Sequence, residues 1–390
     1  MFLAEATPFD YQDPWVNTFK ERMAALIKGK RRIAYFYTQP NNSSFRYRVY
    51  NTVSVLNART ETTSISAGYF FMQDKHHFDA IATSADVLVV CRSLYSSDLN
   101  QLITKFKRKG KPVFFDVDDL VFDTSYAHLL MSTLNIDAND EQSLVDWFAL
   151  TSRTGETFKL CDAAIATNSS LAEKMVEFSG LPAHIIPNFM NEEQIKISED
   201  VFYNKKNSFF ERDEKIHLGY FSGSPSHKLD FQIVESALLE LLETDSRINL
   251  VLVGYIDVSK RFKAFGNRVE WQPFHDYVNL QRLIGKVEFN LMPLQVNAFT
   301  NCKSELKYFE AAIVGTNSLA SPSFTYAKAI SHGQNGYIVK AHEWHKSISM
   351  AIGTLDNGFY QEMAELAFED VQQKYSWRNQ IDTLLNVFGG

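Results

Sequence analysis

Residues 297–321 read NAFTNCKSELKYFEAAIVGTNSLAS. The stretch opens as a polar loop, continues as a short helix from about Ser304 and closes on a buried strand. Leu306, Phe309 and Ile313 recur at i, i+3 and i+7, the spacing that gathers apolar side chains on one helix face. An apolar run stands on either side, VEFNLMP at 287–293 and GYIV at 336–339. Strand, helix and strand in that order imply a parallel sheet, because a parallel return needs a crossover connection.

The same alternation extends upstream through IHLGYF at 216–221, INLVLVG at 248–254 and RVEWQ at 268–272, with TNSLAS at 316–321 inside the opening stretch. A separate series precedes it: IAYFY at 33–37, DVLVVC at 86–91, PVFFDV at 112–117, AAIAT at 163–167 and HIIPN at 184–188. Apolar runs this continuous belong to strands covered on both faces. Between the two series, residues 191–215 are polar and charged without a clear period, which suits an inter-domain connection. The chain therefore reads as α/β, with two Rossmann-like, doubly wound parallel-sheet domains facing a cleft. The expected division is 1–205, 206–370 and a closing segment 371–390. An amphipathic helix over 15–28, with Val16, Phe19, Met23 and Leu26 on its apolar face, leads into the first strand.

A length of 390 residues fits two or three domains, each with its own core. Lys and Arg number 39 against 46 Asp and Glu, a net charge of −7, which argues against a nucleic-acid partner held by overall charge. Three cysteines, Cys91, Cys161 and Cys302, contain no CxxC pair, so neither a disulfide framework nor a structural zinc site is expected. Acids and Pro14 in MFLAEATPFDYQDPW replace the basic start and apolar run of a secretory signal. No apolar run reaches the roughly 18 residues needed to span a membrane, and a reducing, cytoplasmic setting is the simplest reading.

There is no GxGxxG after the first strand, no GxxxxGK[ST], no HExxH and no GxSxG, which disfavours a dinucleotide dehydrogenase or a P-loop enzyme. Lys303, Lys307 and Glu310 fall at i, i+4 and i+7, so a helix from Ser304 would set them on one face near its N-terminal end, where backbone N–H groups favour an anion. Two cations there suit a diphosphate, and a carboxylate one turn deeper suits a ribose diol. The structural alternative is a solvated charged face with a Lys307–Glu310 pair.

FFDVDDLVFD, residues 114–123, places Asp116, Asp118 and Asp119 at the carboxyl end of a strand, where open α/β sheets hold their ligands. Such acids could bind Mg²⁺, orient or deprotonate a hydroxyl, stabilise developing positive charge, or cap a turn. Arg46 and Arg48 in SSFRYR follow the first strand and could reach a phosphate with bidentate geometry. The turn Ser222-Gly223-Ser224 lets backbone approach a ligand closely. His227, His275 and His332 lie in candidate cleft loops, but no pair has metal-ligand spacing with a third ligand, so no metal site is expected.

EAAIVGT at 310–316, followed by a buried strand, Ser321 and HGQNGYIV at 332–339, resembles the donor-binding half of GT-B glycosyltransferases of the family-4 type. GYFSGSPSHKLDF at 219–231 is similar to the first strand and glycine turn of that half, and YSWRNQIDTLLNVF at 375–388 to the closing helix that crosses back to the first domain. YTQPNNSSFRYRVYNTVSVL at 37–56 and CDAAIATNSSLAEKM at 161–175 resemble parts of the first domain. The resemblance implies that Glu310 binds the nucleotide ribose and that Lys303 and Lys307 carry the diphosphate. It implies further donor contacts from Ser222, Gly223, Ser224, Lys228, Glu305 and Thr325. Asp118 and Asp119 then address the acceptor or the sugar, with Arg46, Arg48 and Asp116 on the acceptor side.

Cys302 stands where the family carries the first of two glutamates, a duty Glu305 could take over, and Ser224 and Lys228 stand near the family's Arg and Lys. The activity implied is transfer of a hexosyl or deoxyhexosyl group from a nucleotide-sugar co-substrate to a glycan or lipid-linked glycan, with retention and no metal or other cofactor. Its setting would be capsule or O-antigen assembly. The basic run KFKRKGK at 105–111 would then allow peripheral contact with the inner membrane surface, although such runs are usually solvated helix ends. An inverting GT-B enzyme using an aspartate as base, or a non-catalytic nucleotide- or sugar-binding relative, are the alternatives.

Overall fold

The structure is a computed structural model describing residues 1–4, 7–41, 43–223 and 228–389. Six strands form the first sheet: β1 (Arg31–Phe36), β2 (Ile65–Phe70), β3 (Val87–Cys91), β4 (Val113–Asp116), β5 (Ala163–Ala166) and β6 (Ala183–Ile185). Their spatial order is β2-β1-β3-β4-β5-β6, with parallel neighbours throughout. The second sheet contains β7 (Ile216–Ser222), β8 (Ile248–Gly254), β9 (Val269–Gln272), β10 (Phe289–Met292), β11 (Asn317–Ala320) and β12 (Tyr337–Ile338). It is ordered β12-β11-β10-β7-β8-β9 and is likewise parallel. Both orders reverse direction inside the sheet, so helices cover both faces and the central strands are largely apolar.

Every apolar run of the sequence became a strand, and β2 is the addition. Ser66 and Gly68 dilute the apolar signal of ISAGYF, yet all six of its residues are buried. The leading helix is shorter than its periodicity suggests, Phe19–Leu26, because Thr18 and Glu21 close a capping box that fixes its start. Val16 therefore lies outside the helix and is 81% exposed.

The polar connection expected over 191–215 is instead mostly helix, Glu192–Asn207, capped by the Asn191 side chain on the Gln194 N–H. Its buried positions are Gln194, Ile195, Ser198, Val201, Phe202 and Lys205, a regular helical stripe hidden from a hydropathy reading because half its members are polar. Lys205 is satisfied inside by the carbonyls of Val314 and Gly315 at 3.0 and 2.7 Å.

The chain crosses between its two halves at both ends. Phe2 bridges Arg212 and packs on Phe210 and Tyr360, beside the second sheet. The last helix, Trp377–Phe388, follows a break at Ser376 and brings Phe388 edge-on to Tyr35 and Phe114 of the first sheet. No helix among the described residues is long and apolar enough to cross a membrane. The basic run of 105–111 is largely paired, with Lys105 on Asp79 at 2.6 Å and Lys107 on Asp162 at 3.0 Å.

Candidate functional site

The carboxyl ends of the two sheets face each other, and the loops that leave them touch. Asn188 donates to Ser304 Oγ at 3.0 Å, and Asn168 donates to the Cys302 carbonyl at 3.0 Å. Gln295 and Asn297, after β10, donate to the carbonyl and hydroxyl of Thr133, each at 3.0 Å. The segment between β10 and the helix Leu306–Ala312 also docks apolar side chains, since Phe299 and Cys302 belong to the core of the first sheet.

On the first half, β4 ends at Asp116, whose carboxylate accepts two hydrogen bonds from Arg48, at 2.8 and 3.1 Å. Arg48 Nη1 also donates to the Ile186 carbonyl and to Asn188 Oδ1. Both partners are buried, so this fork ties the helix after β1 to the β4 turn rather than presenting charge to an acceptor. Burial raises the Asp116 carboxyl above its ordinary value, against the pull of Arg48.

Asp118 and Asp119 stand further along the same turn and do reach the cleft. Arg92, just past β3, sets one terminal nitrogen against Asp118 Oδ1 at 2.6 Å, Asp119 Oδ2 at 3.0 Å and Ser44 Oγ at 3.1 Å. Ser44 donates to the other Asp118 oxygen at 2.6 Å. Lys303, from the second half, lies 3.3 Å from Asp119 Oδ1. Burial works to raise the Asp119 carboxyl, but Lys303 and Arg92 outweigh it and hold the group below the usual carboxylate range. The sequence reading missed Arg92, although a cation directly after a central strand was the available signal. Its backbone sits in the left-handed region, φ 40°, which a non-glycine residue adopts at a cost.

On the second half, the helix begins at Leu306 with Glu305 at its cap, so Lys303 precedes it and does not share a face with Lys307 and Glu310. Lys307 lies over the Tyr220 ring of β7, 5.2 Å from its centre, and burial pushes its pKa down to about 8. That contact uses the charge and leaves the N–H donors. Ser222 ends β7 buried and Gly223 follows exposed; Ser224 and His227 lie outside the described residues. Gly254, φ 91°, brings β8 so close that a Cβ there would meet the Ser222 carbonyl at 2.1 Å, which requires glycine. Lys228 is paired with Asp257 at 2.6 Å on the surface.

Glu305, Thr325 and Tyr375 line a cavity of about 390 Å³ with Lys328 and Lys374, between the ends of β5 and β6 and the helix Phe324–Ala329. Burial raises the Glu305 carboxyl. Thr325 Oγ1 is buried without a hydrogen-bond partner among the described residues.

Glu310 faces the first half. The Tyr47 hydroxyl donates to its Oε1, and Arg46 Nη2 lies 3.5 Å from the same oxygen. Burial raises the Glu310 carboxyl, with Arg46 and Tyr47 opposing. Arg46 is thus drawn to a carboxylate rather than directed at an acceptor.

Among the described residues one acid–histidine cluster, Asp213, His217 and Glu288, has donor atoms within 4.8 Å of one another. The Met1 amino group stands among them, 2.6 Å from Asp213 and 2.8 Å from Glu288. The cluster sits at the amino ends of β7 and β10, the edge away from the cleft.

No family model matches the sequence, and no curated protein does. Solved structures do. The Anabaena HepE structure in complex with UDP aligns over 92% of this chain and 99% of its own, with a TM-score of 0.60 and 11% identity. Sucrose-phosphate synthase from Thermosynechococcus elongatus aligns over 91% and 96%, TM-score 0.59, 13% identity. A glycosyltransferase from Rickettsia africae aligns over 92% and 98%, TM-score 0.59, 11% identity.

The fold is GT-B. In GT-B terms the first half supplies the Asp118–Asp119 turn and the second half Lys303, Lys307 and Glu310, with the cleft closed on side-chain contacts between them. Cys302, at the resembled family's first glutamate, is a packing residue of the first sheet's core, where a carboxylate would be buried away from water.

Proposed function

We propose that the protein is a glycosyltransferase that moves a hexosyl or deoxyhexosyl group from a nucleotide-sugar donor to a glycan or lipid-linked glycan acceptor, with retention. Surface polysaccharide assembly on the cytoplasmic face of the membrane is the proposed setting. The observation that carries the reading is the meeting of Lys303 with Asp119 across the cleft, at the carboxyl ends of both sheets.

A departing nucleoside diphosphate gains charge on its outer phosphate. Lys303 and Lys307 are the cations beside β7 and the Asp119 turn able to neutralise it without a metal. Glu310 takes the ribose diol, and Glu305 with the unpartnered Thr325 hydroxyl addresses the sugar. Asp119 is held ionised by two cations, which suits it to stabilise positive charge on the sugar more than to remove a proton, and this supports retention over inversion. Closure of the cleft excludes water, which would otherwise consume the donor.

HepE, solved in complex with UDP, makes UDP the first ligand to try. A thermal-shift panel of UDP, GDP, dTDP and CMP with their sugar conjugates tests the reading, because a ligand of the folded form raises the melting point. A clear shift with one nucleotide series is expected, followed by transfer from its sugar conjugate with the anomer retained by NMR. No shift at millimolar ligand would overturn donor binding. Binding without transfer to any acceptor would favour the non-catalytic alternative, which the burial of Cys302 makes the second reading.

A further inference from the structure

The side chains that close on Glu310 come from an unusual segment. Residues Phe45–Tyr50 form a π-helix, which continues into the α-helix Asn51–Ala58 with no side-chain cap at Ser44. π-Helical turns are rare and recur at functional sites. This one carries Arg46, Tyr47 and Arg48.

Tyr47 uses its hydroxyl fully. It donates to Glu310 Oε1 and accepts from Gln194 Nε2 at 3.2 Å. Arg46 uses only part of its donor set, with Nη2 turned to Glu310 Oε1 at 3.5 Å. Its guanidinium carbon lies 3.9 and 4.2 Å from the centres of the Tyr47 and Tyr277 rings, and the residue is 3% exposed. Among the described residues its Nε and Nη1 have no hydrogen-bond partner, and neither do Gln194 Oε1 and Gln281 Oε1. A guanidinium bonds only in its own plane, so these two donors can serve a polar group that enters there.

We propose that Tyr47 stands in for a ribose hydroxyl: its phenol occupies Glu310, and the diol of an incoming nucleotide replaces it. This rests on the ribose role proposed for Glu310. Phenol and ribose present the same chemistry to the carboxylate, an O–H donor. The nucleotide brings two such donors, together with oxygens that Arg46 can serve. A change of Tyr47 side-chain rotamer clears the seat, leaving Arg46 beside Glu310 and Arg48 on Asp116. Donor affinity is then set by an exchange rather than by entry into an empty site.

The test is the affinity of UDP, inorganic pyrophosphate and 2′,3′-dideoxy-UDP for the wild type, Tyr47→Phe and Glu310→Gln, by titration calorimetry. Tyr47→Phe removes the competing hydroxyl and keeps the ring, and is expected to tighten UDP about tenfold, the order expected for one hydrogen bond to a charged group. Pyrophosphate, which has no ribose, should be unaffected. Dideoxy-UDP should bind the wild type more weakly than UDP, and Glu310→Gln should remove that difference.

An unchanged or weakened UDP affinity in Tyr47→Phe would overturn the exchange while leaving the ribose seat intact, provided Glu310→Gln still weakens UDP. Equal affinity of UDP and dideoxy-UDP for the wild type would remove the ribose seat itself. If Tyr47→Phe does not fold, the dideoxy comparison with Tyr47→Leu, which also removes the hydroxyl, serves. Loss of the phenol should tighten UDP and leave dideoxy-UDP unchanged, and the opposite order would sink the exchange.

Discussion

Lys303 Nζ lies 3.3 Å from Asp119 Oδ1, so the segment leading into the second half's site helix ends its charge on the first half's acidic turn. With Arg92 on Asp118 and Asp119, two cations and two carboxylates close the cleft without net charge. A diphosphate entering beside Lys303 must compete with Asp119 for the ammonium. Lys303→Met should therefore weaken pyrophosphate about tenfold and also loosen the two halves, seen as a larger radius of gyration in solution scattering. An unchanged radius would mean that the pair does not hold the cleft shut.

Asp119 gives the pair a pH signature. Its folded value is depressed, so its contribution to stability is present above the ordinary carboxyl value of 3.8 and fades as pH falls through the lower folded value. Asp119→Asn should cost about 1–3 kcal/mol in urea titrations at pH 7, the range for a hydrogen-bonded charge left without its partner. The difference from wild type should shrink below pH 3.8, where the unfolded chain binds the proton first. A difference that grew on acidification would contradict the assignment.

Lys307 titrates the other way. Burial lowers its ammonium from 10.5 to about 8, so the folded protein sheds that proton before the unfolded chain does, and stability rises with pH between the two values. An anion seated on Lys307 favours the protonated form, so pyrophosphate affinity should fall as pH passes about 8. Lys307→Arg, which stays charged, should remove that fall. Affinity flat from pH 7 to 9.5 in the wild type would take Lys307 out of the anion site.

The strands were legible because both sheets are parallel and covered, which leaves apolar runs such as VLVVC at 87–91 with no polar interruption. What escaped were elements whose burial is polar. The helix Glu192–Asn207 buries Gln194, Ser198 and Lys205 along with its apolar residues, and a hydropathy period cannot see them. At the site, residue types were readable but partners were not. Asp116, Asp118 and Asp119 look alike in FFDVDDLVFD, yet strand pairing turns the first onto Arg48 and the turn sends the others to Arg92 and Lys303. Likewise Lys303, Lys307 and Glu310 share a spacing but not a helix, since the helix starts only at Leu306.

The Arg48–Asp116 fork offers a test of that division. Both side chains are buried and mutually bonded, so removing either one strands the other charge, which typically costs about 3–5 kcal/mol. Arg48→Met and Asp116→Leu should each destabilise by about that amount, and the double variant should cost less than their sum, because no buried charge remains. Additive losses in urea unfolding would show that the two groups do not depend on each other.

Cys302 decides whether the resembled family's first glutamate has a place in this chain. It is 0% exposed in the first sheet's core beside Phe299, its carbonyl accepts from Asn168, and burial raises its thiol to about 11. A glutamate there would carry a carboxylate into an apolar cluster, where an unpaired ionised group costs several kcal/mol or takes up a proton instead. Cys302→Glu should lower the melting temperature by roughly 10 °C at pH 7, given about 2–4 °C per kcal/mol for domains of this size, and by less at pH 5, where the buried acid is protonated. Cys302→Ala, which only removes a sulfur, should stay folded and retain UDP binding. Should Cys302→Glu melt with the wild type at pH 7, position 302 would be open to the cleft and could take a sugar ligand after all.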